Sequence, residues 1–326
     1  MKTIGLTLAC TLLVLACALG LAIALGSPAQ PMPLRSINDP FKTVDFSGMP
    51  PVQRFAARDG TQLGFRQYRP AAAGGKGSVV LIHGSSASSN SMHPIAKGFA
   101  QAGYTAYALD MRGHGVSGSK GQIAYIGQLE DDLADFMQSV RPDPPVTLTG
   151  FSSGGGFALR FAGGSRQKLF SNYLLLAPYL HYAAPTIRPD TGGWVKIGMP
   201  RMVALTILNR VGVTAWNDLP ALNFALDENA RQFLTPSYSF ALTQNFQPQS
   251  DYRANLRAAQ QPMEVLVGEQ DELFYAKRFS ETFRAAGRPL PVTLVPAVTH
   301  ITLTLEPTAI QAAVSAVDRL DRKANP

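Results

Sequence analysis

The chain has 326 residues, 46% of them hydrophobic and only 16% charged, with 29 Lys and Arg against 22 Asp and Glu. That length allows one large domain or two small ones, and the aliphatic content excludes extended disorder. The basic residues are scattered, with no run of five or six, so no nucleic-acid partner is expected.

Residues 4–25 are an unbroken run of small and aliphatic residues preceded by a single charge, Lys2. Such a run is an export signal or a membrane anchor. Ala24-Leu25-Gly26 offers a small-x-small cleavage site before Ser27, which favours a cleavable signal, whereas the 22-residue length suits an uncleaved spanning helix. Cys17, behind Val14-Leu15-Ala16, is a loose match to a lipidation site. Residues 1–26 are expected to lie outside the fold. The remainder is expected outside the cytoplasm, periplasmic or extracellular, or held at a membrane through residues 4–25. Both cysteines, Cys10 and Cys17, lie in this segment, so no disulfide, zinc cluster or thiol nucleophile is available beyond it. Residues 27–51 follow as a Pro-rich linker, expected to act as an extended tether.

Residues 55–68 alternate around Asp59-Gly60 and predict a hairpin. Apolar runs at 78–82, 105–109, 146–149, 173–177, 263–267 and 292–295 read as buried strands. Helical stretches fall between and after them at 92–102, 126–140, 153–162, 274–286 and 307–322. This alternation predicts a mostly parallel sheet flanked by helices, built from residues 52–180 and 262–326. Residues 181–261 break the rhythm with several Trp, Phe and Met residues and no clear strand, and predict an inserted helical lid.

Gly150-Phe151-Ser152-Ser153-Gly154 joins the strand at 146–149 to the helix beginning at 153. Glycines there permit a strained strand-to-helix turn that lifts a serine hydroxyl clear of the backbone. A serine nucleophile needs a base, and only His300 of the five histidines follows the last strand. The acid is expected in Gly268-Glu269-Gln270-Asp271-Glu272, where Asp271 is preferred over Glu269 and Glu272. The competing loop after 173–177 has no acid until Asp190. The resulting order Ser152, Asp271, His300 is that of the α/β-hydrolase arrangement. An oxyanion would be met by the backbone N–H groups of Ser153 and of Ser85, the latter in His83-Gly84-Ser85-Ser86. His83 reads as a loop-shaping hydrogen-bonding residue.

Together with Asp110-Met111-Arg112-Gly113-His114-Gly115-Val116-Ser117, these residues give a chain that resembles the α/β-hydrolase superfamily across roughly residues 52–322. The resemblance is to its monoglyceride lipase-like, lysophospholipase-like and serine aminopeptidase-like branch. It implies an α/β-hydrolase fold with an inserted helical lid, no cofactor, a water-dependent acyl-enzyme, and structural roles for Asp110, Arg112 and His114. The substrate it implies is a small or lipid-like ester with an apolar acyl part. Phe151 and Ser153 depart from the histidine and methionine common in the lipases, and Gly154-Gly155-Gly156 also resembles esterase and perhydrolase members. A serine aminopeptidase, which would need a carboxylate such as Asp227 or Glu228 for the substrate's amino group, a perhydrolase and a non-catalytic binding protein are the alternatives.

Overall fold

The computed structural model describes the chain except residues 1, 35, 36, 38, 72–74, 190–192, 325 and 326, so Asp190 lies outside the described residues. Helix α1 (Lys2–Leu25) opens the chain. The hairpin follows as β1 (Gln53–Ala56) and β2 (Gln62–Tyr68), antiparallel to each other. Then come β3 (Ser78–Ile82), α2 (His93–Gln101), β4 (Thr105–Leu109), α3 (Gln128–Val140), β5 (Val146–Phe151), α4 (Ser153–Ala162) and β6 (Asn172–Leu176).

The described residues of 181–261 hold four α-helices: α5 (Met199–Arg210), α6 (Glu228–Phe233), α7 (Phe240–Asn245) and α8 (Tyr252–Ala258). They also hold a small antiparallel sheet of β7 (Val195–Ile197), β8 (Pro220–Phe224) and β9 (Ser237–Ser239), which the sequence reading missed. Two of those strands are three residues long, and β8 begins with a proline. The chain returns to the main sheet with β10 (Met263–Gly268), α9 (Phe279–Ala285), β11 (Val292–Val295) and α10 (Pro307–Ala324).

The main sheet runs β1-β2-β4-β3-β5-β6-β10-β11, parallel from β4 to β11. Every residue of β3, β5, β6 and β10 is buried, as expected for parallel strands covered on both faces. At the hairpin edge Phe136 of α3 meets Phe55, Phe65 and Tyr107 edge-on, with ring centroids 5.4, 5.5 and 5.6 Å apart. This geometry favours aromatic quadrupoles and seats α3 on the sheet.

The N-terminal region departs from expectation. Helix α1 is apolar over Thr3–Leu25 and long enough to cross a membrane. Its last turns nevertheless join the folded domain: Leu19, Ala22 and Ile23 pack with Ala204 and Leu205 of α5 and with Phe240. Arg201 of α5 donates to the carbonyls of Ile23 (2.8 Å) and Pro220 (2.7 Å), tying α1 to β8. Beyond α1 the backbones nearly touch: a Cβ on Gly198 would strike the Gly26 carbonyl, so only glycine fits there.

The expected tether is likewise pinned. Asn223 donates to the carbonyls of Pro28 and Ala29, Gln30 donates to Phe224 O, and the Leu34 N–H donates to Ala225 O at 2.9 Å. Ile37 is buried in the main core. The described residues of 27–46 therefore run over the insertion as a bound strap, because the Asn223 side-chain amide and the carbonyls of Phe224 and Ala225 offer them partners that water would otherwise have supplied.

Candidate active site

The β5–α4 connection places Ser152 at φ 54° and ψ −117°, outside the comfortable regions for a residue with a side chain. Such strain persists only where its surroundings hold it. Here the Ser152 N–H donates to Leu176 O (2.9 Å) on β6, and the Ser152 carbonyl accepts from Gly156 and Tyr179. Gly154 lets the first turn of α4 close on β3: a Cβ there would meet the carbonyl oxygens of both Ile82 and His83. The expected glycine-dependent turn is present.

His300 follows β11 and brings Nε2 to 3.0 Å from Ser152 Oγ, while its Nδ1 lies 2.7 Å from Asp271 Oδ2. Phe151 and Phe274 flank the imidazole with centroids 4.8 and 5.0 Å away and fix its plane. Asp271, in the turn after β10, is fully occupied. Its Oδ1 accepts the N–H groups of Leu273 (2.9 Å) and Phe274 (2.8 Å), leaving Oδ2 for the histidine. Of the other acids in that loop, Glu269 is exposed and Glu272 accepts the His300 backbone N–H at 2.9 Å. The structure therefore brings together Ser152, His300 and Asp271, and not Glu269. It gives Glu272 the histidine's main chain and Asp271 its ring.

Ser85, in the loop after β3, lines a cavity of about 580 Å³ that Ser152 and His300 also line. His83 shapes this loop from beneath. Its Nδ1 is 2.8 Å from Gly84 O and its Nε2 accepts the Met111 N–H (3.2 Å), so the proton sits on Nδ1 and donates to Gly84. In a trans peptide the N–H points opposite the carbonyl, so holding Gly84 O inward turns the Ser85 N–H outward. Ser153 supplies the first amide of α4, which has no carbonyl four residues back within the helix. Desolvation pushes the His83 imidazole below its ordinary value and keeps it neutral.

The turn after β4 has structural partners. Asp110 accepts the N–H groups of Ser89 (2.7 Å) and Val116 (3.1 Å), and Arg112 forks onto Asp132 at 2.8 and 2.7 Å. Asp227, weighed as an anchor for an amino terminus, lines the cavity but caps α6 by accepting the Ala230 N–H at 2.7 Å. Among the described residues no three His, Cys, Asp or Glu side chains gather as a metal site.

Sequence reasoning missed two contributors. The strap supplies Ile37, Phe41 and Phe46 to the cavity wall, and Trp194 of the insertion donates its indole N–H to Ser85 Oγ at 2.9 Å. Neither has a local signal, since each depends on segments distant in sequence meeting in space.

The profile of the family described as Serine aminopeptidase, S33 matches residues 74–307. A monoacylglycerol lipase of Mycolicibacterium smegmatis is 38% identical over 97 residues, which cover 28% of this chain and 33% of that enzyme. The match thus spans about a third of the relative's length. Among solved structures, a soluble variant of the monoglyceride lipase of Saccharomyces cerevisiae superposes with a TM-score of 0.62 at 18% identity, over 86% of this chain and 97% of that one. A bacterial membrane phospholipase A superposes with a TM-score of 0.55 at 17% identity, over 98% of this chain and 99% of the other. At such identities these two report the fold. With a strained serine turn, a mostly parallel sheet and a family match over more than two thirds of its length, the chain belongs to the serine aminopeptidase S33 family and has an α/β-hydrolase fold.

Proposed function

We propose that the protein is a serine hydrolase that cleaves carboxylic esters with an apolar acyl part through an acyl-enzyme. The observation that carries this reading is the hydrogen-bonded series Ser152, His300, Asp271 opening into a cavity walled by Phe41, Phe46, Trp194 and Phe233. His300 Nε2 takes the Ser152 hydroxyl proton as Oγ attacks the ester carbonyl. The Asp271 carboxylate holds the other ring proton on Nδ1 and stabilises the imidazolium. The tetrahedral oxyanion is met by the N–H groups of Ser85 and Ser153, donors worth roughly 3 kcal/mol each. Collapse returns the proton from His300 to the departing alcohol and leaves an acyl-Ser152. Water then repeats the sequence, giving up a proton to His300 and releasing the acid and the serine.

The apolar wall supports an aliphatic acyl group, and the monoacylglycerol lipases among the similar proteins support a monoacylglycerol ester. A membrane-facing source for such lipids fits the N-terminal region. Beside the end of α1, α5 exposes Met199, Val203 and Ile207 at one-turn spacing, 53, 50 and 44% accessible. We infer a protein exported by, or anchored through, residues 4–25.

The test is a fluorophosphonate probe with the parent and Ser152→Ala, together with chromogenic acyl esters of rising chain length run beside aminoacyl anilides. Labelling lost in Ser152→Ala, with ester turnover reduced by several orders of magnitude, is the expected result. Full activity of that variant refutes the assignment, and anilides turning over faster than every ester would favour a peptidase.

A further inference from the structure

Ser86 follows the proposed oxyanion donor Ser85 and is held in the left-handed region at φ 67° without being glycine. That conformation is unfavourable for a residue with a side chain and survives only where neighbours impose it. The neighbours here belong to the insertion. The Ser86 N–H donates to Tyr238 Oη at 2.6 Å, its hydroxyl donates to Thr235 O at 2.7 Å, and its carbonyl accepts the Thr235 N–H at 2.8 Å. Of these three bonds the first alone uses an insertion side chain.

Tyr238 is itself fixed from behind. Its hydroxyl lies 2.6 Å from His114 Nε2, and His114 Nδ1 lies 3.2 Å from Arg112 O. A carbonyl can only accept, so the imidazole proton sits on Nδ1 and Nε2 accepts from the phenol. The Tyr238 oxygen is thereby left to accept from Ser86. Burial pushes the phenol up and the imidazole well down, so both remain neutral and the direction of the chain is set. Edge-on packing of the two rings, centroids 5.1 Å apart, holds the geometry.

We propose that Tyr238 is a positioning residue for the oxyanion donor, acting through Ser86, with His114 orienting its hydroxyl. The inference rests on the reading of Ser152 as nucleophile and the Ser85 N–H as donor. His83 turns the Gly84–Ser85 peptide from the sheet side, and Tyr238 fixes the next peptide from the insertion side. One oxyanion donor is therefore held jointly by the sheet and the insertion. Without the phenol oxygen, the Ser86 N–H loses its buried acceptor and the loop relaxes toward conformations that turn the donor away.

Tyr238→Phe tests this, with rates referred to active sites titrated by a fluorophosphonate. The expected kcat is about tenfold to a hundredfold lower, less than or comparable to losing a donor outright, with KM within about twofold. Affinity for an alkyl boronic acid, whose serine adduct carries the tetrahedral oxygen, falls by the same factor as kcat/KM. Affinity for a non-hydrolysable ether analogue does not change. Phe246→Leu, which alters packing against the same rings, is the control for a structural role and is expected to lower Tm while leaving per-site kcat and boronate affinity unchanged. A per-site kcat of Tyr238→Phe within twofold of the parent, or equal losses of boronate and ether affinity, overturns the proposal. If Tyr238→Phe does not accumulate folded, 3,5-difluorotyrosine at position 238 keeps the shape, weakens the oxygen as an acceptor and reads the same ratio. Turnover retained by Ser152→Ala would overturn the hydrolase reading and this inference with it, whereas an inactive Ser152→Ala beside an unimpaired Tyr238→Phe overturns the inference alone.

Discussion

Replacing Asp271 by asparagine exchanges one oxygen for an NH2 group, and the hydrogen bonds around it decide where that group goes. Oδ1 accepts two backbone N–H groups, from Leu273 and Phe274, whereas Oδ2 faces only His300 Nδ1. Bonds of this charge-assisted kind are worth about 1.5–3 kcal/mol each. Turning the new NH2 toward the two amides would break both bonds and oppose donors with donors. The amide oxygen therefore keeps the Oδ1 position, and the NH2 points at the imidazole. His300 Nδ1 must then accept, its proton moves to Nε2, and Nε2–H faces the Ser152 hydroxyl at 3.0 Å with no lone pair to receive a proton. The expected loss in kcat is about 10⁴-fold, or about 5 kcal/mol of barrier, at an unchanged fold. Glu272→Gln is the matched comparison. Its oxygen can still accept the His300 backbone N–H, so less than about a tenfold loss is expected. Initial rates on a chromogenic acyl ester, with thermal melts to verify folding, decide the matter. Activity of Asp271→Asn within tenfold of the parent, or an equal loss in Glu272→Gln, refutes the reasoning.

Two further outcomes are expected. Desolvation pushes His83 below, and His114 well below, the ordinary imidazole value, so the unfolded chain takes up protons near pH 6.5 while the folded chain does not. Stability from these groups is complete above about pH 6.5 and is lost as pH falls toward their folded values, by up to about 1.4 kcal/mol per pH unit for each histidine. Denaturant unfolding between pH 7 and 5 should show this slope, and His114→Gln should flatten it by about one histidine's share; an unaltered slope would contradict the argument. In Phe41→Ala the cavity loses one aromatic wall, and the ratio of long-chain to short-chain ester kcat/KM should rise about 3- to 10-fold, whereas an unchanged ratio would show that the strap does not touch the acyl chain.

The main sheet was legible because its central strands are continuous apolar runs, a pattern that burial on both faces demands. Ser78–Ile82 and Thr105–Leu109 match the expected bounds residue for residue. Helix α9 is shorter than expected: residues 276–278 wind as a 3₁₀ turn before Phe279, a difference that apolar periodicity does not register. The positions of Ser152, Asp271 and His300 were legible because each sits just beyond a strand, and the order of strands limits which side chains can meet. What surrounds them was not. The small sheet of the insertion consists of strands too short to display a period, and no local pattern ties the polar atoms of Tyr238 and Trp194 to Ser86 and Ser85. The strap was misread for a related reason. Proline-rich composition describes a chain that makes no bonds with itself, but Pro28 and Ala29 bond to Asn223, some 195 residues away.

That strap separates two questions that a truncation experiment would otherwise confuse. Removing residues up to Gly26 takes away the apolar helix and its grip on Arg201 but leaves the bonds from Asn223, Phe224 and Ala225 to residues 28–34 in place. Removing residues up to 51 also strips Ile37, Phe41 and Phe46 from the cavity and opens one side of it to water. A chain trimmed at the second point would lack one wall of the proposed acyl site, so a changed chain-length preference is the expected result. The apolar helix and one wall of the cavity are thus built from adjoining stretches of one N-terminal arm, with the boundary between them near residue 26.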